Sequence, residues 1–205
     1  MHRRYHVLLL VLLTAACSQR APWRVVASPA PRQQAEPLAA AAPATLDSAE
    51  IAHLRGLVFP VAGRDSTRLD DSFDQPRDGG RRHNAIDIMA PLGSAVLAVS
   101  DGRILRLAKN AKGGNTIYAT DLDEHFVYYY AHLDRYHESM YDGKPLLRGD
   151  TIGYVGTTGN APKNLPHLHF QVMRMPADRH YWNGEPINPY PLLRLSPSVT
   201  PPATK

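Results

Sequence analysis

The stretch Pro166-His167-Leu168-His169-Phe170-Gln171-Val172-Met173 alternates polar and apolar residues. In an extended chain successive side chains point to opposite faces, so His167, His169 and Gln171 share one face and Leu168, Phe170 and Val172 the other. This pattern reads as a half-buried strand, with its apolar face in a core and its histidines on a surface that can carry chemistry. Five further runs, Ala95–Val99, Arg103–Leu107, Asn115–Thr120, Phe126–Leu133 and Thr151–Val155, are similarly rich in Val, Ile and Tyr. Turn residues separate them at Asp101-Gly102, Lys112-Gly113-Gly114-Asn115 and Asp142-Gly143, with almost no helical periodicity between. Short strands at this spacing predict an all-β, compact and mostly antiparallel domain.

Outside this block the composition changes. The 205 residues include 18 prolines, crowded toward both ends, so one core is expected within 51–195, with a loose tail over 196–205. Residues 1–17, MHRRYHVLLLVLLTAAC, run from two arginines through an apolar stretch to small residues and the sole cysteine, the order of an export signal. The apolar run is shorter than the ~20 residues a membrane-spanning helix needs. Between Ser18 and Glu50 there are ten alanines and five prolines in 33 residues. Such a segment buries too little surface to offset its ordering entropy and is expected to be a tether spanning about 30 Å. At its end, Asp47 and Ser48 are candidate caps for a short helix that Gly56 would close.

Charge excludes one class of partner. The formal charge is +4, but without Arg3 and Arg4 in the export signal the balance is 21 basic against 19 acidic residues. No basic run interleaved with aromatics occurs, so nucleic acid is not an expected partner. With a single cysteine there is no intrachain disulfide, and stability must come from the core and any bound metal.

Three places carry candidate chemistry: His83-Asn84-Ala85-Ile86-Asp87, the Tyr130-Ala131-His132-Leu133 segment, and His167-Leu168-His169. Imidazole and carboxylate are zinc's ligands where three protein groups leave a fourth position for water. Extended backbone would put His83, Ala85 and Asp87 on one face, with Ile86 and Ile88 opposite, and would group Phe126, Tyr128, Tyr130 and His132. A helix would also bring positions four apart together, but Pro91 and Gly93 follow closely and no Glu sits beside His83. Taken singly, H-x-x-x-D also fits a surface pair, H-x-H a polar strand face, and His132 a packing residue.

In combination these segments are more specific. The segment from His83 to Gly102, with Gly114-Asn115, Tyr130-Ala-His-Leu133, Gly149 to Gly156, Thr158-Gly159 and Pro166-His-Leu-His-Phe170, closely resembles the ordered signatures of the lysostaphin-type (LytM-like) zinc endopeptidases. The resemblance runs from about Val58 to Leu193. It implies one Zn2+ per chain held by His83, Asp87 and His169, non-ligand catalytic histidines at His132 and His167, and a groove over the metal in a mostly antiparallel β fold. It also implies peptidoglycan as substrate, with hydrolysis of its peptide cross-links; the rival expectations are an amidase-activating or binding protein of the same fold, or cleavage of other extracellular peptides. Tyr128, Tyr130 and Asn115 line the groove by resemblance, or serve sheet packing and a turn by their residue types. Ala85 stands where the family usually has Gly, and the added methyl would narrow the cleft or strain the backbone if φ were positive. His53, His125, His137 and His180 fall outside the signatures and are expected at the surface. Cys17 resembles a lipobox cysteine, implying a lipid-anchored envelope protein, and Ser18 after it favours the outer membrane in a Gram-negative cell.

Overall fold

The alternation seen in the sequence becomes a twisted sheet whose apolar face is the core. The structure is a computed structural model that describes residues 46–200; the expected export segment, Cys17 and the expected tether up to residue 45 lie outside the described residues. In chain order the elements are helix α1 (Ser48–Leu54), β1 (Pro76–Arg77), β2 (Arg81–Arg82), β3 (Ile86–Met89), β4 (Ala95–Leu97), β5 (Gly102–Asn110), β6 (Gly114–Asp121), β7 (Phe126–Tyr136), β8 (Pro145–Leu146), β9 (Thr151–Val155), β10 (His167–Arg174), β11 (Glu185–Ile187) and helix α2 (Tyr190–Leu193). The main sheet runs β11-β10-β7-β6-β5-β8, with β3 beside β10 and β9 linking β7 to β4. Its pairings are all antiparallel, and β1 and β2 form a separate ribbon.

The six expected runs all fall on strands of this sheet. Leu168, Phe170 and Val172 of β10 pack with Ile86 and Ile88 of β3, Phe126, Tyr128 and Tyr130 of β7, and Ile117 of β6. Each fully buried large side chain contributes about 1.5–3 kcal/mol over exposure, which offsets backbone ordering without a disulfide. Tyr130 is completely buried, and its hydroxyl accepts from Val99 N–H at 3.2 Å, so the phenol is not stranded in the core.

Two boundaries differ from the sequence reading. The chain is already ordered before residue 51: Asp47 Oδ1 accepts from Ala49 and Glu50 N–H, and Glu50 returns a bond to Asp47 N–H, a capping box. Glu50 then reaches Arg174 at 2.7 and 3.0 Å, and His53 lies 3.0 Å from the buried carboxylate of Asp121. His53 is thus a docking residue of α1, with polar tertiary partners that local periodicity does not reveal. At the other end, residues 196–199 are not loose. The carbonyls of Pro197 and Val199 accept from Phe59 and Gly63 N–H, at 3.0 and 3.2 Å, and Ser196 is buried.

Candidate metal centre

Antiparallel pairing of β3 with β10 places Asp87 opposite His169, so their side chains leave the sheet on one face. His83 comes from the loop before β3. Its Nε2 lies 2.9 Å from His169 Nδ1 and 3.0 Å from Asp87 Oδ1, and His169 Nδ1 lies 3.1 Å from that same oxygen. Three donor atoms of zinc-ligand type therefore form a tight triangle. Tetrahedral zinc with bonds of about 2.0–2.1 Å separates ligand atoms by about 3.3 Å, so a few tenths of an ångström of expansion would accommodate the ion. The tautomer fits too: His83 Nδ1–H donates to Ser72 C=O at 2.9 Å, leaving Nε2 with a lone pair toward the centre. The three residues His83, Asp87 and His169 can hold a metal ion.

The route by which His83 reaches the centre differs from the extended reading. Asn84 takes a left-handed φ of 57°, so strict alternation does not continue from β3 back to His83. The loop is instead held by His83 N–H on Gln75 C=O and Asn84 N–H on Phe73 C=O, at 2.9 and 2.8 Å. Ala85 has no exposed surface and does not share the left-handed conformation, so its methyl neither reaches the surface of the site nor strains the backbone.

His132 and His167 flank the triangle. Their ring centroids are 4.9 Å apart, and His132 lies 5.6 Å from His169. His167 Nε2 is 3.8 Å from Asp87 Oδ1, beyond hydrogen-bond range. Of the two histidines on β10, His169 is therefore in the triangle and His167 beside it. Each flanking ring is fixed by donation from Nδ1 to a carbonyl, His132 to Thr158 at 2.9 Å and His167 to Leu165 at 2.8 Å. That leaves both Nε2 atoms available for proton transfer.

Simple alternation would have sent His132 into the core with Tyr128 and Tyr130. Its φ is 61°, and the β7–β9 and β6–β7 ladders both shift register nearby, which re-aims the ring toward the site. The cost of a left-handed non-glycine residue is met by fixed surroundings. His132 N–H donates to Gly113 C=O at 2.7 Å, while Thr158 takes the side chain. The two supporting loops touch backbone to backbone: a Cβ on Gly114 would lie 2.1 Å from Thr158 Oγ1, and one on Gly159 would lie 2.3 Å from Gly114 N.

Charge is concentrated at Asp87. Burial opposes its ionisation, but the hydrogen bonds and charges of His169 and His83 hold its carboxyl well below the usual carboxylate range. Its other oxygen, Oδ2, accepts from Arg77 of β1 at 2.7 Å, anchoring the β1–β2 ribbon at the site. Burial pushes the His132 imidazole down to about 4 against the opposing pull of the Thr158 carbonyl, so it is neutral at pH 7. His169 is likewise lowered by burial, although Asp87 pulls the other way.

Several supporting residues escaped the sequence reading. Ser72 braces two candidate ligands, with its carbonyl on His83 and its Oγ accepting from Asp87 N–H at 3.1 Å. Arg77 acts similarly from the two-residue β1, too short to show a period. Thr158 lies in a loop, within a segment that the resemblance includes, and the paired glycines at 113–114 were the available signal for close packing. Tyr128 and Tyr130 are core residues, whereas Tyr129 reaches the site, 6.1 Å from the His169 ring in an edge contact. Asn115 does not merely form a turn: its Nδ2 donates to Leu133 and Asp134 carbonyls, tying β6 to β7 behind His132. Cavities of about 590 and 540 Å3 open elsewhere, and neither is lined by the three candidate ligands.

A mostly antiparallel sheet bearing an imidazole–carboxylate triangle and two flanking histidines defines a metallopeptidase architecture. Residues 81–189, just over half of the chain, match Peptidase family M23, and the chain belongs to that family. It is 33% identical over 143 residues to the L-Ala–D-Glu endopeptidase of Bacillus subtilis, covering 66% of this chain and 42% of that one. It is 32% identical over 93 residues to the peptidoglycan DD-endopeptidase ShyB of Vibrio cholerae, covering 44% and 20%. Among solved structures, the catalytic domain of the antimicrobial peptidase lysostaphin from Staphylococcus simulans aligns with a TM-score of 0.51 at 26% identity, over 70% of this chain and 97% of that chain. The chain spans less than half the length of these curated relatives.

Proposed function

We propose that the protein is a zinc endopeptidase that hydrolyses peptide cross-links of bacterial peptidoglycan. The observation that carries this reading is the joint presence of the His83, Asp87, His169 triangle and the two carbonyl-anchored imidazoles of His132 and His167. A protein that only binds or activates would have no need of all five. Zinc at the triangle would supply Lewis acidity, lowering the pKa of water toward about 7 and polarising the scissile carbonyl. His132, held neutral by burial, and His167 each have Nε2 free, and between them they accept a proton from the attacking water and return it to the leaving amine. Whichever imidazole is protonated donates a hydrogen bond to the developing oxyanion. Arg77 holds Asp87 Oδ2, which leaves Oδ1 for the metal and limits rotation of the carboxylate. Peptidoglycan as substrate is supported by the activities for which the relatives are named.

The purified protein should contain close to one zinc per chain, and a chelator should abolish cleavage and lower the melting temperature. Free zinc at a hundred times its dissociation constant stabilises by about 2.7 kcal/mol, equivalent to roughly 5–10 °C for a domain this size. Folded protein that neither binds zinc nor responds to the chelator would rule out the metalloenzyme reading.

We further propose that the chain is exported and anchored in the cell envelope by lipid on Cys17, facing the periplasm from the outer membrane if the cell is Gram-negative. One acyl chain binds only marginally and several bind stably, so Cys17→Ser should prevent lipid attachment and leave the protein soluble in the periplasm or unprocessed, outside the membrane fraction of the wild type. Unchanged membrane association of that variant would contradict the anchor.

A further inference from the structure

Aromatic rings run outward from the metal centre in an unbroken series. Tyr129 of β7 meets His169 edge-on, and Tyr118 of β6 lies 4.6 Å from Tyr129 between ring centroids. The loop between β10 and β11 leans over β6 and sets Tyr181 at 5.1 Å from Tyr118; Trp182 then follows at 4.9 Å from Tyr181. Trp182 is 59% exposed, and His180 packs on it at 5.0 Å. An indole left this open at the end of a packed series gains stability by being covered.

The surroundings say what could cover it. The cations near this wall already have carboxylate partners: Arg179 pairs with Glu124, His180 with Asp178, and Arg174 with Glu50 and Glu185. Burial pushes the phenols of Tyr118 and Tyr129 further up, so these two rings are uncharged at neutral pH. On the other side of β10 the β1–β2 ribbon carries Arg77, Arg81 and Arg82. Arg77 pairs with Asp87 and Arg82 with Asp74, while Arg81 bonds the Asp78 carbonyl and has no carboxylate partner among the described residues. A substrate with anionic peptide at one end and uncharged rings at the other fits this polarity in one orientation. Pyranose rings present flat C–H faces that lie against aromatic rings, and their hydroxyl and amide rims remain in water.

We propose that the row ending at Trp182 is a subsite for the glycan strand, taking the N-acetylated amino sugar from which the cleaved peptide hangs. This rests on the peptidoglycan reading and extends it: the enzyme acts on peptides still attached to their sugar, in a fixed direction.

The test titrates the purified protein by calorimetry with chitotetraose, a neutral oligomer of N-acetylglucosamine. Saturable binding is expected, weakened about tenfold or more by Trp182→Ala and largely restored by Trp182→Tyr; circular dichroism confirms the fold of each. In parallel, kcat/KM is measured on cross-linked peptides with and without their glycan. The ratio of the two should fall about tenfold in Trp182→Ala. No saturable sugar binding, or binding and ratio both untouched by Trp182→Ala, overturns the subsite. Sugar binding needs no turnover, so a protein that binds chitotetraose through Trp182 but cleaves neither peptide would defeat the endopeptidase reading and leave the sugar site standing. One that cleaves both peptides without binding the sugar would do the reverse.

Discussion

Alanine at His83, Asp87 or His169 is expected to remove metal and activity together. Two remaining ligands hold zinc poorly, because a stable site of this kind needs at least three protein groups. Turnover should fall by about 10⁴-fold or more once the Lewis acid is gone. Asp87→Ala should be the most damaging to the local fold as well, because it also releases Arg77 and with it the β1–β2 ribbon. Zinc content and kcat measured on the same preparations test this. A variant at any of the three positions that keeps stoichiometric zinc would displace that residue from the ligand set.

His132→Ala and His167→Ala should separate the two properties. Both rings touch the centre from outside the triangle, so zinc should be retained while turnover drops about 10²–10⁴-fold, the usual worth of a positioned acid or base. Since both imidazoles present a free Nε2 to the same space, the double variant should lose less than the product of the single losses. Loss of zinc from His167→Ala together with retention by His169→Ala would reverse the assignment along β10.

Strands with a clean period of two were legible because each residue's environment there depends on its immediate neighbours. The β10 pattern gave both the core face, Leu168, Phe170 and Val172, and the site face, His167 and His169. What local pattern could not supply is the register that sets Asp87 opposite His169, 82 residues away in sequence. Only the family resemblance linked those residues in advance. Alternation misled at two points, Asn84 and His132, and both have positive φ. A single left-handed residue reverses the facing of a side chain, and neither position carries the glycine that would advertise it. The braces Ser72 and Arg77 were invisible for another reason. Their contribution lies in hydrogen bonds to residues distant in sequence, and neither the loop that holds Ser72 nor the two-residue β1 carries a period from which such bonds can be read. The short helix capped at Asp47 was legible from its cap residues, but the domain boundary was set after Glu50 on composition, whereas Glu50 belongs to the helix and is held by the capping box and by Arg174.

The most direct measurement is digestion of purified peptidoglycan by the zinc-loaded protein, with mass analysis of the muropeptides released and a chelated control. Cross-linked dimers should decline and their peptide fragments should accumulate, the change should vanish with chelator, and it should return on adding zinc. Peptidoglycan left intact by protein that carries its full complement of zinc, or cleavage that proceeds unchanged in the chelator, would contradict a zinc endopeptidase of the cell wall.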